Sequence, residues 1–165
     1  MADAAQAFCG RWVSNENTPS LLVLVGDSGC GKTHVAKAIY WFCNSASSLA
    51  FKGGKWGHEK KPDTKYVAWP ATVAAMKQKF DGGFEDALAA SLSVLDDVGA
   101  ENDPWAEGKD KLCQILSRRE KMFTVLTTNA APDSWAQRFD TRIADRLMRN
   151  SVIVDLAGVQ SYALR

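Results

Sequence analysis

The chain lacks several features that would narrow its role at once. No apolar run approaches the ~20 residues needed to cross a bilayer; the longest are strand-sized, such as Leu21-Leu22-Val23-Leu24-Val25. The opening Met1-Ala2-Asp3-Ala4-Ala5 has no basic-then-apolar leader pattern. No membrane span and a cytoplasmic setting are therefore expected. There is no excess of one charge: 20 Lys and Arg against 19 Asp and Glu leave a net +1. A nucleic-acid partner must therefore be argued from local patches, because no overall field demands one. Cys9, Cys30, Cys43 and Cys113 show no paired spacing, which argues against a zinc site or disulfide scaffold and for a reducing compartment. Repeats and low-complexity tracts are missing too. A chain of 165 residues suits one domain, 1–165, with one core.

What is present is concentrated. Gly26-Asp27-Ser28-Gly29-Cys30-Gly31-Lys32-Thr33 has the G-x-x-x-x-G-K-T spacing of a phosphate-binding loop. Ser20–Val25 reads as a buried strand entering it. Val35, Ala36, Ile39 and Cys43 recur at helical spacing behind it. In that context glycines bring backbone N–H groups close to phosphate oxygens, and the helix N-terminus faces the same oxygens. Lys32 bridges β- and γ-phosphates, and the Thr33 hydroxyl ligates Mg2+. The bland alternative is a Gly-rich turn with a surface lysine. Cys30 reads as a tolerated variable position in preference to a reactive thiol at a helix N-terminus.

Strands and helices alternate along the rest. Residues 1–19 read as an N-terminal helix (Ala4 to Val13) and a turn-rich linker. The helix after the loop is expected to end near Asn44, and residues 45–65, polar and rich in Gly and Lys, to form a mobile loop. Further strands are expected at Tyr66–Trp69, Leu92–Leu95, Phe123–Leu126 and Val152–Val154. Helices are expected from Pro70 to about Phe80, at Glu85–Ala90, at Glu107–Glu120, from Pro132 and at Thr141–Met148. This pattern implies an α/β protein, a three-layer αβα sandwich around a mostly parallel five-stranded sheet.

Two strand ends carry further chemistry. Leu92-Ser93-Val94-Leu95 runs into Asp96-Asp97; the first acid can hold magnesium through water and the second can polarise an attacking water. An ordinary acidic turn is the competing reading. Thr124-Val125-Leu126-Thr127-Thr128 ends at Asn129, which can donate to a γ-phosphate or orient the water. Arg142 and Arg146 lie four apart and share a helix face.

Taken together, Gly26–Thr33, Thr33-His34-Val35-Ala36, Leu95-Asp96-Asp97-Val98-Gly99-Ala100-Glu101, Leu126-Thr127-Thr128-Asn129, Arg142-Ile143-Ala144-Asp145-Arg146-Leu147 and the closing Ser161-Tyr162 resemble the AAA+ ATPases. The likeness is to the group of DnaC-type helicase loaders and IstB-type transposition helpers. The resemblance implies an AAA+ core whose C-terminal lid is reduced or absent, with ATP and Mg2+ as cofactors. It places residues 26–34 on the nucleotide, Thr33 and Asp96 at the metal, Asp97 as catalytic base and Asn129 as γ-phosphate sensor. Arg146 resembles the arginine finger that reaches a neighbouring subunit's nucleotide, assisted by Arg142. The usual base in AAA+ proteins at large is Glu, so Asp97 implies slow turnover, although an Asp-Asp pair is compatible with this subgroup; Glu101 is a poor substitute.

The implied partners are further copies of the chain in an ATP-dependent ring or helical oligomer, single-stranded DNA, and a replicative helicase. Lys77 and Lys79 match the region where related initiators touch the DNA backbone. Lys52, Lys55, Lys60, Lys61 and Lys65 with Trp56 offer charges and a stacking ring for a single-strand groove. A merely solvated loop competes with that reading. The alternative functions are a transposition helper, a small-molecule nucleotide kinase, a superfamily 3 helicase and an assembly module without useful hydrolysis. The kinase is disfavoured because residues 45–65 contain no arginine for a lid over two nucleotides.

Overall fold

In the computed structural model, residues 1–14, 16, 20–52, 63–81, 83–102, 107–149 and 151–159 are described, the last six of 20–52 by backbone alone. The strands are β1 (Leu21–Val25), β2 (Thr64–Ala68), β3 (Leu92–Val98), β4 (Phe123–Thr128) and β5 (Ser151–Asp155). They form one sheet in the order β2-β3-β4-β1-β5. Every pairing is parallel, so the sheet expected to be mostly parallel is wholly so. Parallel strands covered on both faces read as continuous apolar runs. Leu21–Val25 does so because Leu22 and Leu24 face one layer while Val23 and Val25 face the other.

The helices are α1 (Ala2–Ser14), α2 (Lys32–Lys52), α3 (Trp69–Lys77), α4 (Phe84–Ala89), α5 (Glu107–Arg118), α6 (Trp135–Arg138) and α7 (Thr141–Met148). α1 and α2 cover one face, with Phe8, Trp12, Ala36, Ile39 and Cys43 packed on Leu22, Leu24, Val94 and Val125. The edges of the Phe8 and Trp12 rings meet Phe123. The remaining helices cover the other face through Trp69, Val73, Phe84, Leu112, Ile115, Trp135, Ile143 and Leu147. The three expected layers are therefore present. Among the described residues no helix is long and apolar enough to cross a membrane, and none of the four cysteines forms a disulfide.

Two expectations need correction. The helix after the phosphate loop does not stop near Asn44 but continues to Lys52, and β2 begins at Thr64. Both ends of the loop expected over 45–65 are thus regular structure. The polar Asn44-Ser45 step looked like a stop, yet neither Gly nor Pro follows until Gly53. Residues 53–62 lie outside the described set. Second, β3 does not end before its acids but runs through both to Val98.

One buried cation ties the second layer to the sheet. Arg119, 2% exposed, donates to the carbonyls of Ala87, Leu88, Ala90 and Phe123 and to Thr124 Oγ1. It thereby satisfies carbonyls that the short α4 leaves open at its C-terminus. Burial lowers its pKa to about 10.

Candidate functional site

The loop between β1 and α2 carries the first cluster. Gly26 has φ +150°, and a Cβ there would lie 2.9 Å from Leu156 Cβ and 3.1 Å from Cys30 Sγ. Only glycine lets the chain after β5 pass this close. Gly29 and Gly31 also have positive φ. The Lys32 ammonium is nearly buried and is held inside its own loop. It donates to the carbonyls of Gly26 (2.7 Å) and Asp27 (2.8 Å), with Cys30 Sγ at 3.6 Å. Cys30 is buried beneath that ammonium, a packing position rather than an exposed thiol. Ser28, Gly29, Gly31, Lys32, Thr33 and His34 line a cavity of about 430 Å³ with Lys37, Asp97 and Asn129. The site lies where loops leave the carboxyl ends of β1, β3 and β4, the edge at which open parallel sheets bind ligands.

The two acids reach this cavity by an irregularity in the sheet. β3 and β4 pair in register up to Leu95↔Leu126 and again at Val98↔Thr128. Asp96 and Asp97 thus oppose the single residue Thr127, which is a β-bulge. Asp97 takes up the extra length in the left-handed region, at φ +63°. For a non-glycine residue that conformation costs on the order of 1 kcal/mol, and Asp tolerates it better than most. In a regular strand neighbouring side chains point to opposite faces; the bulge instead leaves Asp97 lining the cavity while Asp96 lies just behind it, 6% exposed.

Asp96 is held by three hydroxyls. Its Oδ1 accepts from Thr33 (3.1 Å) and Thr127 (2.7 Å), and its Oδ2 accepts from Tyr66 (2.5 Å). Thr127 is fully buried and serves both acids, because its oxygen also accepts from the Asp97 N–H at 2.8 Å. Asn129 Nδ2 stands 3.5 Å from Asp97 Oδ1. Glu101 turns away from this group to accept from the Gly99 N–H. The Thr33 hydroxyl and Asp96 carboxylate already meet, and both are hard oxygen donors. That pair fits a magnesium ion that retains several waters.

The paired arginines sit elsewhere. Arg142 is exposed and paired with Asp140 at 3.0 Å and Asp110 at 3.8 Å. Arg146, one turn on, lines a separate cavity of about 160 Å³ with Leu21, Thr124, Arg119 and Arg149. Leu21 and Thr124 mark the amino ends of β1 and β4, opposite the phosphate loop. Arg146 therefore cannot serve the nucleotide cavity of its own chain.

No protein-family profile matches this chain, and no curated protein does. Solved structures do. A crystal structure of DnaI is 24% identical, covers 94% of this chain and 81% of its own, and superposes with a TM-score of 0.67. The DnaC helicase loader is 20% identical over 93% of this chain and 88% of its own, TM-score 0.64. The replication initiator DnaA, bound to AMPPCP and single-stranded DNA, is 18% identical over 92% of this chain and 45% of its own, TM-score 0.64. The chain shares the fold of these proteins. At these identities the likeness establishes architecture, and residue roles rest on the geometry above.

Within this fold the candidate DNA residues are scattered. Lys77 ends α3 and its ammonium donates to the Asn102 carbonyl. Lys79 lies past the helix end, exposed, with φ +63°. Lys65 pairs with Asp86 at 2.5 Å. Lys55, Trp56, Lys60 and Lys61 fall outside the described residues, as do Ser161, Tyr162 and Arg165, and Lys52 is described only as helical backbone. The site also contains residues that the motifs did not mark. Tyr66 was only a strand residue and Thr127 only part of an apolar strand, yet both fix Asp96. Lys37, one turn past Thr33, lines the same cavity. The i, i+4 spacing from Thr33 was the available signal for Lys37. The sequence offered no signal for Tyr66 or Thr127.

Proposed function

We propose that this chain is an ATP-binding and ATP-hydrolysing switch, assembled by nucleotide and acting in the loading of a replicative helicase on single-stranded DNA. The observation that carries the reading is the bulge. It sets Asp97 beside Lys32, Thr33 and Asn129 in one cavity while Asp96 stays bonded to Thr33. In this reading the backbone N–H groups of 28–34 and Lys32 hold the triphosphate, with Lys32 exchanging two carbonyls for phosphate oxygens. Thr33 and Asp96 hold magnesium, which supplies charge neutralisation on the phosphates. Asp97 accepts a proton from the attacking water, and Asn129 fixes that carboxylate and the water.

Arg146 then acts on a neighbouring copy, because it lies at the far end of its own sheet. Such a finger contributes on the order of a thousandfold or more in rate, so hydrolysis follows assembly. The helicase as cargo is inferred from the shared fold with the DnaC helicase loader. Single-stranded DNA is inferred from the DnaA complex together with the exposed Lys79.

The test is phosphate release against protein concentration, with and without single-stranded DNA, for the parent and Arg146→Ala. The reading expects a rate per chain that climbs steeply with concentration and collapses in the variant. A rate per chain independent of concentration, or unchanged by Arg146→Ala, refutes it.

A further inference from the structure

The proposed reaction uses Asp96, but nothing so far explains how that side chain is aimed. Its partner Tyr66 comes from the neighbouring strand. β2 and β3 pair with Tyr66 opposite Val94 and Ala68 opposite Asp96. Tyr66 and Asp96 thus occupy diagonal positions on one face, a separation that only a long side chain spans. The ring is clamped by α2, the same helix that starts at Lys32 and Thr33. Tyr40 meets it edge-on with centroids 5.8 Å apart, and Lys37 Nζ lies 5.7 Å from its centre. Tyr66 therefore touches both α2 and the carboxylate.

An ionised carboxylate has about four acceptor positions. Here three are filled: two on Oδ1 by Thr33 and Thr127, one on Oδ2 by Tyr66. If Thr33 turns to a nucleotide-bound cation, Thr127 and Tyr66 still grip one oxygen each. One acceptor position on each oxygen is then open, enough for two metal-bound waters. Without the Tyr66 hydroxyl the carboxylate has only Thr127 and can rotate about its last bond.

We propose that Tyr66 is a positioning residue that sets the Asp96 carboxylate for the magnesium–nucleotide complex. The proposal rests on the nucleotide-binding reading above, and the experiment separates the two. AMPPCP binding is titrated by calorimetry in EDTA and again in millimolar Mg2+, for the parent and Tyr66→Phe. Tyr66→Phe keeps the ring and its packing on Tyr40. The expected result is an unchanged affinity in EDTA and a loss of roughly tenfold or more in the strengthening that Mg2+ brings, since the bond lost is one to a charged group. Manganese binding to the AMPPCP complex, followed by electron paramagnetic resonance, should weaken by the same factor. Equal losses with and without Mg2+, or a fall in melting temperature that accounts for both, would make Tyr66 a packing residue and overturn the proposal. So would an unaltered Mg2+ increment. A parent that binds no AMPPCP under either condition would instead remove the nucleotide-binding reading itself.

Discussion

Replacing Thr127 by Val should destabilise the protein far more than its near-isosteric shape suggests. The residue is fully buried. Its hydroxyl donates to Asp96 Oδ1 at 2.7 Å and accepts from the Asp97 N–H at 2.8 Å. A hydrogen bond to a charged group is worth about 1.5–3 kcal/mol, and a polar group left unpaired by burial costs about 1–3 kcal/mol. Asp97 is only part-buried, so water partly repairs the second loss, and the two terms share one hydroxyl. A net loss of about 2–4 kcal/mol follows. Thr127→Ser keeps the hydroxyl and gives up one methyl group, about 1 kcal/mol. Urea denaturation at neutral pH measures both, with an unchanged slope against denaturant showing that the unfolded state is comparable. The Val variant should also melt roughly 5–15 °C lower, at about 2–4 °C per kcal/mol for a domain of this size. If Val costs no more than Ser, the hydroxyl does not hold the bulge and the account of Asp96 and Asp97 is wrong.

Other outcomes follow from the same geometry. Gly26→Ala must push the segment after β5 away, because the new Cβ meets Leu156 Cβ at 2.9 Å; a loss of about 1–3 kcal/mol by urea denaturation is expected, and parental stability would contradict it. Asp97→Asn suits the left-handed backbone but loses the carboxylate. Nucleotide affinity should hold while phosphate release falls about a hundredfold or more, and a retained rate would remove Asp97 as base. Asp140 caps α7 by accepting from the Ile143 N–H at 2.8 Å. Although burial opposes it, this bond and the Arg142 guanidinium hold the Asp140 carboxyl below its ordinary value. A lowered acid stabilises the fold at neutral pH, and that contribution is lost as pH falls below about 3.9 and through the lowered value. The stability gap between parent and Asp140→Asn should therefore narrow in acid, and a gap that stays constant below pH ~4 would refute the assignment.

The layers were legible because the central strands are runs of alternately facing apolar residues and the helices repeat at their own period. Leu21–Val25 and Thr141–Met148 show this within a few residues of their observed bounds. The phosphate loop was legible because its chemistry is local: Ser28, Gly29, Gly31, Lys32, Thr33 and His34, within seven positions, line the cavity. The β3 end was not. Asp96-Asp97 read as acids just past the strand's end because acids rarely sit inside a parallel strand, and only the facing Thr127 shows how both are accommodated within it. Tyr66 was hidden for the same reason, since its bond to Asp96 depends on a strand register across 30 positions. Arg119 stood in a polar stretch, Ser117-Arg118-Arg119-Glu120, where nothing marks one arginine for burial. α2 overran its expected end because polarity alone does not stop a helix.

The central claim is that two copies of the chain complete each ATP pocket, and a mixing experiment tests it most directly. Asp97→Asn removes the base and leaves the finger, while Arg146→Ala removes the finger and leaves the base. Each alone should release phosphate at a small fraction of the parental rate. Mixed in equal amounts, they should recover about a quarter of that rate, because random neighbours pair an intact pocket with an intact finger at one interface in four. A mixture no faster than the two variants measured apart, under conditions where the parent assembles, would contradict the account.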